Sequence, residues 1–323
     1  MQSILKLAIS TVAAASIAQA ASAETFFQRP LTIIVAAGAG GGGDTTTRIL
    51  ARELEKELGQ PITIINQGQG GGVVGLTSLR EAEPDGHTVG LLFPYAGYKL
   101  TGQADFKATD FTPIANFNGD SSSLLVSADS DFKSLQEALD AIKADPASFK
   151  IHCSGGCGSV WDVPVAGMML DYGIEVSKIN WIPGQGAASG LTELASGGVD
   201  FQTASLPEAS SLIQAGRVRP LAVLSPEAVH GFEDVPLAGD VLGKPIDGGT
   251  WRALAGPAGM SAEAVKAWED AVRAAVDSEE FFSTMQKANF GVKWLGAQEL
   301  ADLMAQHERD TTRVMEALGY KPQ

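Results

Sequence analysis

The sequence is poor in cysteine, histidine and basic residues. Of its 323 residues, 2 are cysteine and 4 are histidine, and 23 Lys and Arg stand against 38 Asp and Glu, which gives a formal net charge of -15 at pH 7. A chain this acidic repels phosphate backbones, so a nucleic acid is excluded as a partner. After the N-terminal segment no apolar run reaches the roughly 20 residues of a membrane span, so no such span is predicted.

Catalytic motifs are also absent. The histidines at 87, 152, 230 and 307 have no second histidine at i+4 and form no HExxH, so metal-dependent hydrolysis is not predicted. No GxSxG elbow occurs, and His152 and Cys153 are neighbours on a predicted strand, where adjacent side chains point to opposite faces. We therefore expect a protein that is not an enzyme and that has neither a metal nor a cofactor, with an exported enzyme as an alternative.

The N-terminus has the three parts of a secretory signal peptide. Lys6 precedes an apolar run from Leu7 to Ala18, and Ala21-Ser22-Ala23 forms a cleavage site before Glu24. We predict that residues 1–23 are removed and that the mature chain resides in the periplasm. No cysteine follows the cleavage site to carry a lipid, so an anchored protein is not expected.

The two cysteines are close together. Cys153 and Cys157 lie in a loop-like Cys-Ser-Gly-Gly-Cys segment. An oxidising compartment favours a local disulfide, with two free thiols or a metal pair as alternatives. Two sulfurs without a histidine at ligand spacing make a poor zinc site.

The apolar periodicity alternates between strand and helix. Leu31 to Ala36 predicts a buried strand, and Thr45 to Leu58 predicts a helix that Gly59 and Pro61 end. Further strands are predicted at 61–66 and 88–93, with a helix at 73–83 between them. This βαβαβ order predicts a parallel sheet with helices on both faces.

A second set of elements begins near Leu124. Strands are predicted at 124–127, 149–153, 178–182, 199–203 and 219–224, and helices at 135–143, 160–170 and 187–195. The tail is predicted to be helical over 261–289 and 297–318 and to return to the first domain. The result is an α/β fold with two lobes, each a mostly parallel sheet flanked by helices. We predict lobe I at 24–123 plus 250–323 and lobe II at 124–249, with two chain crossings at the hinge.

A glycine-rich turn separates the first predicted strand from the first helix. Glycine at 38 and 40–43 lets backbone N–H groups approach a ligand, and the helix N-terminus behind them carries partial positive charge, so an anion site is predicted. Asp44 or Thr45 is alternatively the helix N-cap. The literal GxGxxG here does not predict a dinucleotide site, because the next strand ends in Asn66 where an acid is needed; a P-loop lacks its Gly-Lys-Ser/Thr.

Several weak motifs together are specific in their order and spacing. They are Arg29-Pro30-Leu31, the glycine turn that closes in Asp44, Leu58-Gly59-Gln60-Pro61, Pro84-Asp85-Gly86-His87-Thr88, Gly197-Gly198-Val199-Asp200, Ala215-Gly216-Arg217 and Pro257-Ala258-Gly259. On these residues the chain is identified as a member of the substrate-binding components of tripartite tricarboxylate transporters, also called Bug receptors. The resemblance covers nearly the whole mature chain.

The resemblance implies a periplasmic solute-binding protein of the type II-like, two-lobed kind. Its lobes close like a hinge around a small carboxylate, which is delivered to membrane transporter subunits. A receptor of the same fold that presents its ligand to a sensor kinase is the alternative. A monomer is expected.

The resemblance also implies which residues bind the ligand. In the first lobe they are Gly38, Ala39, Gly40, Gly41, Gly42, Gly43, Asp44, Gly71, Gly72, Phe93 and Tyr95. In the second lobe they are Ser154, Gly158, Ser159, Trp161, Gly184, Gln185, Gly186, Ala187, Asp200 and Thr203.

This chain departs from the family pattern at the ligand turns. The family's Pro-Tyr-Lys-Gly segment is Pro183-Gly184-Gln185-Gly186, and Asp162 stands about where a histidine is common. We expect a roomier and less cationic pocket, so citrate is not assumed. The aromatic residues Trp161, Tyr95 and Phe93 either line this pocket, which favours an aromatic or longer acid, or belong to the core. Trp251 is interpreted as structural.

Overall fold

The computed structural model describes residues 27–154, 157–184 and 186–321. The predicted signal peptide and Gln185 lie outside these residues. Contacts between Cα atoms divide the chain into two compact units. Unit 1 comprises the described residues up to Phe93 together with Lys107–Asn118 and Arg252–Ala305, and unit 2 comprises Pro94–Phe106, Gly119–Trp251 and the residues from Gln306 onward.

The sheet of unit 1 has the strand order β2-β1-β3-β9. Its strands are β1 (Leu31–Val35), β2 (Ile62–Asn66), β3 (Thr88–Leu92) and β9 (Gly249–Pro257). β1 lies parallel to β2 and to β3, as predicted from the βαβαβ pattern. β9 joins the edge of β3 in the antiparallel direction, which the sequence analysis does not predict.

Helices pack on this sheet through apolar faces. They are α1 (Gly42–Leu58), α2 (Val73–Arg80), α9 (Ala262–Val276) and α10 (Glu279–Lys287). The apolar side chains of α1 at 50, 54 and 58 are fully buried in one cluster with those of β1. Trp268 of α9 is also fully buried, and its indole Nε1–H donates to the Gly86 carbonyl at 2.8 Å.

The predicted helix at 261–289 is divided into α9 and α10. Ser278 accepts a hydrogen bond from the N–H of Phe281 and is the N-cap of α10. An N-cap residue has extended φ and ψ angles, so the helix direction is reset there.

The sheet of unit 2 has the order β8-β4-β7-β5-β6. Its strands are β4 (Phe111–Ser127), β5 (Lys150–Cys153), β6 (Asn180–Pro183), β7 (Phe201–Ser205) and β8 (Val218–Val223). β5 is parallel to β6 and β7, whereas β4 is antiparallel to both β7 and β8. The associated helices are α3 (Gly97–Leu100), α4 (Leu135–Ala144), α5 (Asp162–Asp171), α6 (Ala187–Ala195), α7 (Leu206–Gln214), α8 (Ala238–Leu242) and α11 (Ala297–Ala317), of which α11 starts in unit 1.

Five elements are longer than predicted or are missed. β4 begins at Phe111 although only 124–127 is predicted, because its first half contains helix- and strand-breaking asparagines. The amide nitrogens of two of them bond to a distant segment: Asn116 donates to the Lys293 carbonyl at 2.7 Å and Asn118 to the Gly291 carbonyl at 2.6 Å. The other four, β9, α3, α7 and α8, are not predicted at all.

The two units repeat one topology that is not visible as a sequence repeat. In unit 1 the chain runs β1-α1-β2-α2-β3, and in unit 2 it runs β5-α5-β6-α6-β7. Each sheet places the first strand between the other two and adds an antiparallel strand beside the third. Turns after β1 and β5, and after β2 and β6, are therefore topologically equivalent.

No helix in the described ranges is long and apolar enough to cross a membrane.

Candidate functional site

In unit 1 the predicted anion turn lies between β1 and α1. α1 begins at Gly42 with Gly41 as its N-cap, and no side chain caps it. The expectation that Asp44 or Thr45 is the N-cap is therefore wrong, because the helical conformation begins earlier than the apolar periodicity indicates. The first-turn N–H groups of α1 are left for another acceptor.

Asp44 instead holds the turn together from inside the helix. Gly40, in the left-handed conformation at φ 78°, donates its N–H to Asp44 Oδ2 at 2.7 Å. Asn66, at the end of β2, donates to Asp44 Oδ1 at 2.9 Å, and Arg48 pairs with the same oxygen at 2.9 Å. Burial raises the pKa of Asp44, but the hydrogen bonds from Arg48, Gly40 and Asn66 outweigh it, so the pKa is lowered.

The glycines of unit 1 differ in what surrounds them. A Cβ on Gly38, Gly40 or Gly71 would meet no atom within 4 Å. On Gly43 it would lie 2.8 Å from Leu91, so this glycine allows α1 to pack on the sheet. Of the predicted positions of unit 1, Gly38, Gly40 and Gly71 have open space beside them.

A guanidinium also lies at this turn, and the sequence analysis misses it. A Cβ on Gly42 would lie 2.9 Å from Nη2 of Arg252, a residue of β9. Arg252 is oriented by a short hydrogen bond from Nη1 to Asn118 Oδ1 and by the ring of Phe290, 5.6 Å from its Cζ. The expectation of a less cationic site was made without this arginine, because β9 was not predicted.

The equivalent turn of unit 2 lies between β5 and α5 and uses the same device. Gly158, at φ 91°, donates its N–H to Asp162 Oδ2 at 2.6 Å. Ser159 donates its N–H to Asp162 Oδ1 at 3.0 Å and makes a short hydroxyl hydrogen bond to the same oxygen. The N–H groups of Gly158 and Ser159 are thus bonded within the turn.

Asp162 is almost completely buried, with 1% of its surface exposed. Burial raises its pKa to about 6, against the opposing effect of the hydrogen bonds from Ser159 and Gly158. The same turn contains a disulfide between Cys153, the last residue of β5, and Cys157. The structure therefore contains the local disulfide predicted for these two cysteines, and not two free thiols or a metal pair.

The second turn of unit 2 connects β6 to α6. Gly186 is the N-cap of α6, no side chain caps the helix, and Ala187 is its first residue. Gly184 packs on the imidazole of His152: a Cβ there would lie 2.0 Å from Cε1 and 2.2 Å from Nε2. The predicted site residue Gln185 lies outside the described residues.

Polar residues at the carboxyl ends of β5 and β7 form a buried cluster. Ser154 donates its hydroxyl to the Thr203 carbonyl at 2.6 Å. Asp200 lies at the other end of these strands, where it accepts the Lys150 N–H at 2.8 Å. At about 3.3 Å per residue, Asp200 is roughly 10 Å along the strand from Thr203, so the structure does not bring these two predicted residues together.

The predicted aromatic residues are mostly packed in the units. Tyr95 is 1% exposed, and its hydroxyl donates to Glu308 Oε1 at 3.2 Å. Trp161 is buried, and its carbonyl accepts the Ser122 hydroxyl. Phe93 is partly buried against the core of unit 1, and Trp251 lies edge-on to His307 with ring centroids 5.9 Å apart.

The described residues contain no group of three His, Cys, Asp or Glu side chains able to hold a metal ion.

The two α/β units with this strand order are those of two-lobed periplasmic solute-binding proteins. A crystal structure of such a protein from Polaromonas is 29% identical, covers 90% of this chain and 98% of its own, and superposes with a TM-score of 0.78. The solved structure of MatC from Rhodopseudomonas palustris, with bound malate, is 25% identical, covers 89% of this chain and 99% of its own, and has a TM-score of 0.70.

The family model "Tripartite tricarboxylate transporter family receptor" matches residues 46–320. A UPF0065 protein from Bordetella pertussis is 29% identical over 321 residues, covering 98% of this chain and 97% of its own. The chain belongs to the tripartite tricarboxylate transporter receptor family, which confirms the resemblance found in the sequence. This family consists of periplasmic solute-binding receptors and not of enzymes, which confirms the expectation of a binding protein without catalysis.

Proposed function

We propose that this receptor binds a small carboxylate in the periplasm and delivers it to the membrane subunits of a tripartite tricarboxylate-type transporter. The observation that carries the proposal is the Arg252 guanidinium beside the N-terminus of α1. Uncapped helix N–H groups and a guanidinium both favour an anion, and a planar guanidinium suits a carboxylate in particular. A relative that binds malate, 25% identical to this chain, supports the same ligand class.

Each unit has one turn that is suited to a carboxylate. In unit 1 this is the turn before α1, with open space beside Gly38, and in unit 2 it is the turn before α6, with open space beside Gly186. Both helices lack a side-chain cap, so each of the two turns offers backbone N–H groups to an anion. Closure of the two units around the ligand then presents the loaded form to the transporter.

A thermal-shift screen of the exported protein tests the ligand class. The panel contains mono-, di- and tricarboxylates, aromatic acids, amino acids and sugars. A ligand at about 100 times its Kd adds about 2.7 kcal/mol to the free energy of unfolding. Shifts restricted to carboxylates support the proposal, and shifts from sugars alone contradict it. N-terminal sequencing of the exported chain, expected to begin at Glu24, tests the predicted cleavage.

Two substitutions test the unit 1 turn. Arg252→Ala is expected to weaken carboxylate binding at least tenfold, because a charge-assisted hydrogen bond contributes about 1.5 kcal/mol or more. The matched control is Arg273→Ala, since Arg273 also lies over an aromatic ring, Trp294 at 5.0 Å. Isothermal titration calorimetry measures both Kd values.

Gly38→Trp is expected to abolish binding while the protein stays folded, because a side chain there meets no neighbour. Glu57→Trp, at the exposed far end of α1, is its control. Normal binding by Gly38→Trp and Arg252→Ala contradicts an anion site at this turn.

A further inference from the structure

A buried polar cluster lies under the turn before α6. His152, Ser154, Gln202 and Thr203 are each at most 3% exposed, and His152 and Gln202, which are paired across β5 and β7, lie on the face of the sheet that α6 covers. In the same unit, Leu191 and Leu194 of α6 belong to an apolar cluster that also contains Leu125. Two atoms of the polar cluster, His152 Nδ1 and Gln202 Oε1, have no hydrogen-bond partner of ordinary geometry among the described residues.

Two glycines make room for the histidine. A Cβ on Gly190, in α6, would lie 2.1 Å from Gln202 Oε1 and 2.2 Å from His152 Nδ1. On the other side, a Cβ on Gly184 would overlap Nε2 and Cε1 of the ring. The glycine at 184, which replaces a family tyrosine, is therefore required by the position of His152.

The hydrogen bonds assign the protons of this cluster. Gln202 Nε2 donates to the Thr203 carbonyl at 3.0 Å and also contacts the Ser154 hydroxyl oxygen. A carbonyl oxygen only accepts, so the amide nitrogen faces it and Gln202 Oε1 faces His152. Nδ1 of His152 must then be the protonated nitrogen, because its neighbour Oε1 also only accepts.

The second ring nitrogen is consequently a hydrogen-bond acceptor. In a neutral imidazole one nitrogen donates and the other accepts, so Nε2 presents a lone pair beside Gly184. Burial lowers the pKa of His152, with the charge of Glu193 on α6 and the neighbouring Gln202 side chain acting in the opposite direction. The other polar neighbours, Ser154 and Thr203, carry no charge.

We propose that His152 determines ligand specificity: Nε2 accepts a hydrogen bond from a hydroxyl of the bound acid, so the receptor selects hydroxycarboxylates over the corresponding unsubstituted carboxylates. The proposal rests on the proposed function, since it assumes that a carboxylate binds at the N-terminus of α6. There the first-turn N–H groups bind the carboxylate, and the adjacent Nε2 binds a hydroxyl next to it.

Matched pairs of acids test this proposal. Titration calorimetry compares malate with succinate and 2-hydroxyglutarate with glutarate, on the wild type and on His152→Leu. The wild type is expected to bind each hydroxy acid at least tenfold more tightly than its partner, and His152→Leu is expected to bind both within about twofold. His230→Leu, which removes a histidine 75% exposed in the same unit, is the control and is expected to keep the preference.

The pH dependence of the wild type is a second test that needs no variant. An imidazolium has no acceptor, and the pKa of His152 lies below its ordinary value of 6.5, so the preference for the hydroxy acid is expected to decrease only as the pH falls below 6.5. A preference that increases instead means that a protonated His152 binds a carboxylate directly, which overturns the proposal. At each pH, the ratio of the two Kd values within a pair of acids is measured for the wild type and compared with the ratio for His230→Leu.

The outcomes separate the two proposals. If no carboxylate binds the wild type, the proposed function itself is wrong. If carboxylates bind but the wild type has no preference, or His152→Leu keeps it, only the role of His152 is wrong. If His152→Leu weakens the binding of both acids of a pair by the same factor, the role of His152 is purely structural and the proposal is wrong. If His152→Leu does not fold, Gly184→Ala, which displaces the imidazole from the turn side, replaces it and is expected to lose the preference.

Discussion

The turns after β1 and β5 use one backbone device with different support. In each turn a glycine in the left-handed conformation donates its N–H to an aspartate four residues later. Asp44 in unit 1 is balanced by Arg48 and by the Asn66 amide. Asp162 in unit 2 accepts its hydrogen bonds from its own turn, at Gly158 and Ser159.

The difference shows that a shared topology does not determine local electrostatics. A carboxylate with a guanidinium beside it remains ionised, whereas one that relies on neutral donors is protonated more easily. The contacts that hold each turn in place differ as well. Gly68 packs on the backbone of the unit 1 turn, and the Cys153–Cys157 disulfide closes the unit 2 turn.

The largest expected effect is on the backbone contact in unit 1. A Cβ on Gly68 would lie 2.6 Å from the Gly38 nitrogen and 2.7 Å from the Ala37 carbonyl carbon, which cannot move aside as a side chain can. Gly68→Ala is expected to lower the free energy of unfolding by about 3 kcal/mol, the upper range for overpacking. Urea unfolding measures it. Gly38→Ala, with open space at 38, is the control and is expected to stay within about 0.5 kcal/mol; equal losses would mean that the turn is not braced by Gly68.

The next effect concerns the disulfide in unit 2. The chain-entropy relation gives about 2 kcal/mol for a closed loop this short, so Cys153→Ser with Cys157→Ser is expected to lower the unfolding free energy by that amount. Reduction of the wild type with dithiothreitol is the independent check and is expected to give the same loss. An unchanged stability in both would show that the bond does not support the turn.

The smallest and most specific effect is the pH dependence of the two aspartates. The folded-state pKa of Asp162, about 6, lies above its ordinary value of 3.8, so the folded state holds the extra proton. Its contribution is therefore fully present below about pH 4 and is lost as the pH rises through about 6. Asp44 has the opposite sign: its pKa is lowered, so its contribution is present at neutral pH and is lost under acid conditions.

The measurement compares Asp162→Asn and Asp44→Asn with the wild type by urea unfolding at pH 4 and pH 7. The free energy of unfolding of the wild type minus that of Asp162→Asn is expected to fall with rising pH. The corresponding difference for Asp44→Asn is expected to rise. If both free-energy differences changed with pH in the same direction, the two turns would not differ in their electrostatics.

Much of the fold was predictable because the signals are local. The alternation of apolar runs predicted β1, β2, β3 and the helices between them, and Gly59 ended α1 as expected. The start of α7 was also readable, since Ser205 and Glu208 form a capping box with Pro207 between them, but the helix was missed. β9 carries an arginine in its middle and starts at a glycine, so its periodicity is weak.

The site was only partly predictable, because its important contacts are distant in sequence. The glycine turn before α1 was found from composition alone, but Arg252 lies more than 200 residues from Gly42 along the chain and meets it only through the pairing of β9 with β3. The role of Asp44 was misjudged for a related reason, since its partner Asn66 is provided by β2.

The sequence by itself determined the family, the α/β class and the places where glycine turns precede helices, because these depend on residue types and short-range spacing. The tertiary structure alone decided which charges and protons stand at those turns. Burial raises the pKa of Asp162, and Arg48 lowers that of Asp44. The orientation of the Gln202 amide leaves the unprotonated nitrogen of His152 on the side of Gly184. Electrostatic energies depend on distance and desolvation, and both are set by neighbours that the linear order does not reveal.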